Sequence, residues 1–367
     1  MDKVLLAADG RPDFTDVPYR LDFHRQPSAA ADQVSITTDL DSIAHYLTGK
    51  RVLVTGAGGS VGSELCRQLK RLGPERLLML DRDESALHAV QLSIEGWALR
   101  DGNLVLCDIR DEEHLREVFD RHRPHVVFHA AALKHLALLG RFPAEALKTN
   151  VQATERLLDL ACEYGIERFV NISAGKAADP TSVLGATKRI IERLTSYMAK
   201  RAEGEYLSVR FGNVVSSRGS FLPLLQAQID AGGPVTIPHP EFTRSFMTIE
   251  EAVQLVIQAG ALGSGGEVLV LDMGEPVKIV EVARRLIAQS GKSISIEYSG
   301  LRDGEKRHGV LLGRDEMCCR SIHPLIQHVV VPPVLPKDVK DLLRPMGDAE
   351  LIASLIRVAT MPAEGTP

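Results

Sequence analysis

A glycine-rich loop between a short apolar strand and an amphipathic helix constrains this chain more than any other feature. Residues 55–64 read TGAGGSVGSE and directly follow the apolar run 52–54. Spaced glycines permit a tight turn, so backbone N–H groups can approach a pyrophosphate, which the positive end of a helix favours. The pattern therefore predicts a dinucleotide-binding unit. The predicted loop contacts are Gly56, Gly59, Ser60, Val61 and Gly62.

An acidic residue at the end of the next predicted strand supports this interpretation. Asp81 stands nineteen residues after Gly62 and follows the apolar run 77–80. A carboxylate there accepts hydrogen bonds from the adenosine ribose hydroxyls and repels a 2′-phosphate, so it favours NAD over NADP. Arg82 follows directly and is suited to hold that phosphate, which leaves NADP open as the alternative. After the third strand, the residues predicted to flank the adenine are Asp108 and Ile109.

The composition excludes several classes of protein. With 44% hydrophobic and 25% charged residues, the 367-residue chain matches an ordinary globular protein. Its net charge of −5 argues against general attraction to nucleic acid. No apolar run approaches the roughly 20 residues of a membrane span, and no signal-peptide pattern precedes the first strand. The five cysteines lack metal-ligand spacing, so we expect no metal site and a cytoplasmic location.

Strand and helix patterns alternate along most of the chain. Strands are predicted at 51–55, 76–81, 103–107, 125–129, 168–172 and 206–210. Helices are predicted near 60–72, 84–99, 111–121, 144–163 and 181–202. This alternation predicts an α/β fold with a Rossmann-type, doubly wound parallel sheet.

The alternation breaks after Arg210, where 211–244 is rich in Gly, Pro and Ser. Helix and strand patterns return at 249–271, and a second irregular stretch follows. A segment that leaves the core, returns and leaves again predicts a small substrate lobe built from two pieces. The expected units are an N-terminal extension (1–47), a dinucleotide-binding domain (48–212 plus 245–274), a substrate-binding lobe (213–244 plus 275–335) and a C-terminal tail (336–367). In that tail we expect one helix at 349–359.

Three further segments carry a resemblance to a known family. They are HAAALKH at 129–135, NISAGKAADPTSVLGATKR at 171–189 and VRFGNVVSSRGS at 209–220. Together with the glycine loop they resemble the extended short-chain dehydrogenases/reductases, and within them the CapD-like nucleotide-sugar 4,6-dehydratases of polysaccharide biosynthesis. The resemblance covers about 45–330. It implies an NAD(P)-dependent lyase whose partner is a small nucleotide-sugar or nucleoside. From the charge and the apolar runs described above, we expect no nucleic-acid partner and no membrane span. The resemblance also implies a homo-oligomer, for which we expect the helices near 111–121 and 144–163 to supply an interface.

The resemblance implies a reaction by transient oxidation. A hydride leaves the sugar C4, the new ketone acidifies the C5–H, and a base removes that proton. An acid then expels the C6 hydroxyl and the hydride returns to C6. Lys176 would assist proton transfer, Lys188 would bind the nicotinamide ribose, and Lys134 and His135 would lie at the carboxyl edge of the sheet. The predicted catalytic set is Lys176, Lys188, Lys134 and His135.

The segment before Lys176 departs from the family pattern. Relatives usually read Ser-Thr-Asp-Lys, whereas here Ala174 and Gly175 replace the hydroxyl and the carboxyl. Leu184 also replaces the tyrosine that usually stands four residues before Lys188. General acid catalysis typically contributes about 10²–10⁴-fold, so we expect ordinary 4,6-dehydration to be impaired. Asp179 is either a replacement acid or, as we favour, the N-cap of the next helix.

The remaining predicted contacts follow the family motifs, including LRDGEK at 301–306. Guanidinium groups form bidentate hydrogen bonds with diphosphate, so arginines in irregular loops suit a nucleotide substrate. Arg210 matches one such family position. The further cofactor contacts expected from the resemblance are Ala130, Ala131, Ala132, Asn150 and Lys188. The expected substrate contacts are Lys134, Ser173, Asn213, Arg218, Arg244, Arg302 and Glu305.

Three functions fit these patterns. The leading one is an NAD-dependent dehydratase with atypical acid/base residues, acting on a nucleotide-sugar or a sugar nucleoside. The second is a 5,6-dehydratase that forms an unsaturated product, or an epimerase, of nucleoside-antibiotic or glycan biosynthesis. The third is a catalytically silent protein that binds a nucleotide-sugar. Retention of both Lys176 and Lys188 argues against the third, because a binding module has little use for the pair.

Overall fold

The computed structural model describes residues 40–96, 102–215 and 221–362. The expectation for 1–39, most of the predicted N-terminal extension, lies outside these residues. The first part of the chain alternates strands with helices, as the sequence pattern predicts. Its elements are α1 (Leu40–Leu47), β1 (Arg51–Thr55), α2 (Ser60–Lys70), β2 (Arg76–Asp81), α3 (Glu84–Glu95), β3 (Leu104–Leu106), α4 (Glu112–His122) and β4 (Val126–His129).

The chain then passes through a continuous helical stretch and two further strands. These elements are α5 (Leu136–Arg141), α6 (Pro143–Ala146), a π-helical turn (Leu147–Gln152), α7 (Ala153–Glu163), β5 (Arg168–Ile172), a 3₁₀ turn (Gly175–Ala177), α8 (Val183–Ala199) and β6 (Glu205–Arg210). The helix starts follow ordinary capping chemistry. Asp83 caps α3, Asp111 caps α4 and Ser182 caps α8, each by accepting a backbone N–H from the first turn.

Short strands and three helices follow β6, and the chain then returns to the main sheet. The elements are β7 (Asn213–Val214), α9 (Phe221–Asp230), β8 (Val235–Ile237), β9 (Thr243–Arg244), β10 (Phe246–Met247), α10 (Ile249–Leu262), β11 (Glu267–Leu271), β12 (Val277–Lys278), α11 (Ile279–Ser290) and β13 (Ile296–Tyr298). The last elements are β14 (Cys318–His323), β15 (Ile326–Val330), α12 (Pro336–Lys340), a 3₁₀ turn (Asp341–Leu343) and α13 (Asp348–Thr360).

Nine strands form the main sheet in the order β14-β15-β11-β6-β5-β4-β1-β2-β3. The seven from β3 to β11 are parallel, and the strand order reverses between β1 and β4. Helices cover both faces, because apolar side chains of the strands point to both sides. One face packs on α4, α7, α8 and α13, and the other on α1, α2, α3 and α10. The predicted Rossmann-type fold is confirmed, and ligands of such sheets bind where the strand order reverses.

The small lobe has a core of its own. Apolar side chains of α9, β8 and α11 pack together, and β13 pairs with β8. The structure differs from the expected lobe at its end. Residues within 318–330 form the hairpin β14–β15, and β15 pairs antiparallel with β11, so this part extends the main sheet. An antiparallel hairpin at the edge of a parallel sheet leaves no signal in the βαβ pattern.

The C-terminal segment packs onto the dinucleotide-binding domain rather than forming a loose tail. Leu351, Leu355 and Val358 of α13 are buried against α8 in the same apolar core. The guanidinium of Arg193, on α8, is buried and donates to the carbonyl oxygens of Pro332 (3.1 Å), Pro333 (3.2 Å), Val358 (2.9 Å) and Ala359 (3.2 Å). One side chain therefore ties three segments together. Within the described residues, no helix is long and apolar enough to span a membrane.

We predict that Arg193→Ala lowers the free energy of unfolding by about 3 kcal/mol, because it leaves buried carbonyl oxygens without their donor. Urea denaturation followed by circular dichroism measures the change. Arg201→Ala is the matched control, since Arg201 is exposed just beyond the same helix and should change stability by less than about 0.5 kcal/mol. Equal denaturation midpoints for the two variants would contradict this role of Arg193.

Candidate active site

The glycine loop lies at the carboxyl ends of β1 and β4. Gly56 has φ +69°, and a Cβ there would lie 2.6 Å from the backbone nitrogen of Ala131. A Cβ at Gly62 would lie 2.0 Å from the carbonyl oxygen of Gly56, so only glycine lets α2 start this close to the loop. Gly59 precedes α2 and offers no capping side chain. The first turn of α2, which includes Ser60 and Val61, therefore presents backbone N–H groups suited to an anion.

Asp81 is held at the end of β2, facing the loop. Its Oδ2 accepts the N–H of Gly58 at 2.8 Å, and its Oδ1 accepts the N–H of Asp83 at 3.0 Å. Each oxygen keeps a further lone pair for a ligand hydroxyl. The neighbouring Arg82 is about half exposed and lies 3.6 Å from a carboxylate oxygen of Asp108. The positive charge of Arg82, which would attract a 2′-phosphate, is thus partly neutralised by Asp108.

These elements enclose a groove, which we call the dinucleotide groove. Of the predicted cofactor contacts, Gly56, Gly59, Asp81, Arg82, Asp108, Ile109, Ala130, Ala131 and Ala132 line it. Four lining residues escaped the sequence analysis: Leu80, Cys107, Leu133 and Thr149. The first three stand at strand ends or next to predicted contacts, which is the signal that could have identified them. The hydroxyl of Thr149 is buried and has no hydrogen-bond partner among the described residues. Such a group is suited to a bound polar ligand.

The part of the groove wall at Asp108 is charged and ordered by ion pairs. Arg110 binds both carboxylate oxygens of Asp108 at 2.7–3.1 Å. Its hydrogen bonds lower the pKa of Asp108 below the ordinary value, so this carboxyl is ionised at neutral pH. Arg110 also lies 3.3 Å from Glu145. Asp108, the predicted adenine contact, is therefore an ionised side chain whose position is fixed by Arg110.

Asn150 lies in the π-helical turn and is fully buried. Its Oδ1 accepts the Leu133 N–H at 2.8 Å, and its Nδ2 donates to the Leu133 carbonyl at 3.1 Å and to the Thr187 hydroxyl at 3.2 Å. The side chain therefore joins the loop after β4 to α8. The resemblance gave Asn150 both as a cofactor contact and as a structural asparagine, and these hydrogen bonds make it a support of the groove wall. The groove-lining residue from this turn is its neighbour Thr149.

A buried histidine supports the floor of the groove. His129, at the end of β4, lies 2.8 Å from the hydroxyls of both Thr55 and Thr154. The Thr154 hydroxyl donates to the Asn150 carbonyl at 2.7 Å, so it accepts from His129 Nε2. Burial, and then the charge of Lys188, lower the pKa of His129 to about 3. The ring is therefore neutral and joins β1, β4 and α7 by hydrogen bonds.

Two lysines lie close to the carboxyl end of β5. Lys188 is buried on α8, and its Nζ donates to the carbonyl of Ile172, at the end of β5, at 2.8 Å. Burial lowers its pKa to about 8, although Glu192 one turn later opposes the shift. Lys176 lies in the 3₁₀ turn, partly buried, with no hydrogen bond from its Nζ within the described residues. Burial is the main cause that lowers its pKa, and the positive charge of Arg244 adds to it.

Other predicted residues act on Lys176 through their charges. Lys134 also lowers its pKa, whereas Glu305 opposes the shift. Lys134 and His135 are exposed just before α5. The structure thus brings the charges of Lys134, Arg244 and Glu305 around Lys176. Their contact with a substrate stays a prediction.

The predicted substrate residues differ in their surroundings. Arg244 stacks on Phe242, donates to backbone carbonyls and lies 3.8 Å from Glu305, so its guanidinium is held inside the lobe. Arg302 is exposed, and Asn213 lies in the two-residue strand β7. Arg218 lies outside the described residues. These positions leave Arg302 as the arginine of this set with an exposed side chain.

Arg210 is not placed to reach a ligand, contrary to the expectation that it belongs to the substrate loops. Its side chain is completely buried and binds Glu192 at 2.6–2.9 Å and Glu316 at 2.6–3.0 Å. Ser173, predicted as a substrate contact, donates its hydroxyl to Glu192 at 2.6 Å. Arg189 completes the group through Glu316. We call these five residues the buried ion cluster.

Asp179 does not cap α8, as we had expected. Ser182 performs that role by accepting the Gly185 N–H. Asp179 instead has φ +40° and accepts the backbone N–H of Arg314 at 3.2 Å with both carboxylate oxygens. It therefore holds the chain that follows the lobe against the segment after β5. The preference for a cap was wrong because the helix begins three residues later than its nearest acid.

Comparison with known proteins identifies the family. The family described as polysaccharide biosynthesis protein matches residues 52–330. EpsC of Bacillus subtilis, a probable polysaccharide biosynthesis protein, is 44% identical over 299 residues, which are 79% of this chain and 50% of EpsC. The capsular polysaccharide biosynthesis protein CapD of Staphylococcus aureus is 44% identical over 298 residues, which are 79% of this chain and 48% of CapD. The chain belongs to the polysaccharide biosynthesis protein family, as its motifs predicted.

Solved structures share the fold. Pen from Bacillus thuringiensis superposes with a TM-score of 0.71 at 28% identity, over 78% of this chain and 90% of Pen. DesIV, a dTDP-glucose 4,6-dehydratase from Streptomyces venezuelae with NAD and TYD bound, gives 0.62 at 22% identity, over 72% and 88%. At that identity the likeness shows the fold alone. The chain spans about half the length of EpsC and CapD, so their whole-protein activities do not transfer to it directly.

We predict that Asp81→Ala weakens binding of NAD by about tenfold relative to NADP, because it removes a charged acceptor and the repulsion of a 2′-phosphate. Thermal-shift titration with each dinucleotide gives the ratio of affinities. Asp83→Ala is the control: it removes the cap of α3 but not the carboxylate at the groove, so the ratio should stay unchanged. A larger loss for NADP, or wild-type protein that binds neither dinucleotide, would contradict the prediction.

Proposed function

We propose that this protein is an NAD-dependent dehydratase that acts on a nucleotide-linked sugar by transient oxidation. The observation that carries the proposal is the position of Lys176. Its amino group is partly buried, has no hydrogen bond within the described residues and follows the end of β5, where ligands of this fold bind. A lysine of lowered pKa in such a place is suited to proton transfer.

The dinucleotide groove fits the cofactor in three respects. The glycine loop approaches the backbone of the β4 loop closely, α2 begins without a side-chain cap, and Thr149 has a buried hydroxyl without a partner. The first turn of α2 would hold the pyrophosphate, Asp81 the adenosine ribose, and Lys188 the nicotinamide ribose. When bound, NAD supplies a hydride acceptor that later returns the hydride. Asp81 favours NAD, and NADP remains the alternative.

Lys176 would remove the proton beside the transient ketone. Only the neutral amine can accept a proton, so a lowered pKa raises the reactive fraction near neutral pH. Neighbouring charges act on the pKa of Lys176 in both directions: Arg244 and Lys134 lower it, and Glu305 raises it. A phosphate-bearing substrate would add negative charge near the same group. We expect the diphosphate to contact Arg302, which is exposed, rather than Arg244, whose guanidinium is engaged.

The segment 173–176 supplies no carboxyl for the elimination half of the reaction. Gly175 offers no side chain, and the Ser173 hydroxyl already donates to Glu192. Glu192 is buried against Arg210, so it is not available to protonate a leaving hydroxyl. Protonated Lys176, formed when the C5 proton is taken, is the remaining donor in this segment. The missing carboxyl at position 175 also favours a second candidate, a 5,6-dehydratase or an epimerase. Such an enzyme shares the oxidation step but forms a different product.

We predict that the protein exchanges deuterium into a nucleotide-sugar next to its oxidised carbon, with little 4-keto-6-deoxy product. The measurement is mass spectrometry after incubation in D₂O with UDP-, GDP- and dTDP-sugars. Lys176→Ala should reduce exchange by about 10²-fold or more while dinucleotide binding stays unchanged. Because its folded-state pKa is lowered, the wild-type rate should rise with pH and level off below pH 10.5, the ordinary lysine value.

Lys200→Ala is the matched control, since Lys200 is exposed at the end of α8. Its exchange rate should equal that of the wild type. Two results would refute the proposal: no exchange and no cofactor reduction with any sugar of the panel, or unchanged exchange in Lys176→Ala. The first result would favour a catalytically silent binding protein.

We further predict a homo-oligomer and a cytoplasmic location. The apolar residues of α4 and α7, which we expected at an interface, are buried within the core of the same chain. An interface must therefore use other surfaces of these helices or other elements. Light scattering between about 1 and 50 μM should give a mass of at least twice 40.1 kDa. A monomer mass over this range would contradict the prediction.

A further inference from the structure

Leu311 lies against Gly175, in the segment that connects the lobe to β14. A Cβ at position 175 would lie 2.8 Å from Leu311 Cδ2 and 3.0 Å from the Val310 carbonyl oxygen. At 2.8 Å one group must shift, and Leu311 Cδ2 is the end of a side chain that can rotate, whereas the Val310 carbonyl at 3.0 Å is backbone and must yield by a few tenths of an ångström. A side chain at position 175 would therefore have to displace the Leu311 side chain from its present position.

The backbone around Leu311 is fixed from several sides. Its carbonyl accepts Arg210 Nη1 at 2.8 Å, and two residues later the Gly313 N–H donates to Glu316 at 2.7 Å. The Arg314 N–H is held by Asp179. Since Arg210 and Glu316 belong to the buried ion cluster, the segment cannot withdraw from Gly175 without disturbing buried charges.

The immediate neighbours of position 175 are apolar or accept hydrogen bonds. The nearest groups to a Cβ there are a methyl group and a carbonyl oxygen, and neither donates a hydrogen bond. Leu311 itself is partly buried and packs against two apolar clusters.

We infer that Leu311 is a specificity-determining residue that keeps an acid away from position 175. This inference deepens the proposed function and rests on it for its chemical consequence. The Leu311 side chain occupies the place of a carboxyl at position 175, which would protonate a leaving hydroxyl. Gly175 and Leu311 together thereby disfavour ordinary 4,6-dehydration, in which the C6–O bond of the sugar breaks, the departing hydroxyl takes a proton and water leaves.

Thermal denaturation tests the contact without any substrate. Gly175→Ala should lower the Tm by about 3–6 °C, because it inserts a methyl group into filled space. In a Leu311→Ala background the same change should cost less than half as much. Leu312→Ala is the matched control: Leu312 packs on the apolar cluster near β11 and β15, so the full cost should remain in that background. An equal cost in the Leu311→Ala background would overturn the inference.

Product analysis tests the chemical consequence. Gly175→Asp combined with Leu311→Ala should form at least about tenfold more 4-keto-6-deoxy nucleotide-sugar than Gly175→Asp alone. Equal product from the two variants would overturn the role of Leu311 in specificity. If the wild type shows no deuterium exchange with any sugar, the proposed function fails. The Tm comparison then decides on its own whether Leu311 excludes a side chain at position 175.

Discussion

The buried ion cluster is the interaction on which the arrangement of the site depends. Arg210 ends β6, Glu192 lies on α8, and Glu316 comes from the segment that leaves the lobe, so one guanidinium joins sheet, helix and lobe connection. Burial opposes ionisation of Glu316, but hydrogen bonds from Arg210 lower its pKa to about 2, so the pair is charged at neutral pH. Removing one partner of such a pair typically costs about 3–5 kcal/mol, since the other charge stays buried.

This cluster links parts of the site that are far apart in sequence. Through Glu192 it holds the Ser173 hydroxyl, three residues before Lys176, and through Glu316 it fixes the chain that places Leu311 on Gly175. Apart from the ion pair of Arg110 with Asp108, the dinucleotide groove relies on neutral hydrogen bonds, such as those of Asn150 and His129. The buried charges are thus concentrated around the segment that precedes Lys176.

The sequence predicted the fold where its signal was local. The strands at 51–55, 76–81 and 168–172 agree with β1, β2 and β5, because each is an apolar run bounded by turn residues. The hairpin β14–β15 was missed, since an edge pair mixes polar and apolar residues and the paired residues of β11 lie 55–63 positions before those of β15. The packing of α13 on α8 was missed for a similar reason: it rests on Arg193 and on distant apolar contacts.

The site shows the same limit. The glycine loop and Asp81 were predictable because a motif of fixed spacing carries the whole geometry. Arg210 looked like a substrate ligand, since the sequence does not reveal that Glu192 and Glu316 surround it. Thr149 gave no signal in the sequence, where it is one residue of a predicted helix. Only the structure shows that its hydroxyl is buried without a hydrogen-bond partner and lines the groove beside the loop after β4.

The absence of a carboxyl at position 175 acquires a different meaning from these contacts. From the sequence, glycine there suggests a catalytic group that was lost and left a gap. In the structure there is no gap, because Leu311 and the Val310 carbonyl fill the space, and the buried ion cluster fixes the segment that carries them. The contact is consistent with a reaction in which Lys176 transfers the proton without a carboxyl at position 175. The changed residues of the motif and the residues packed against them then belong to one arrangement.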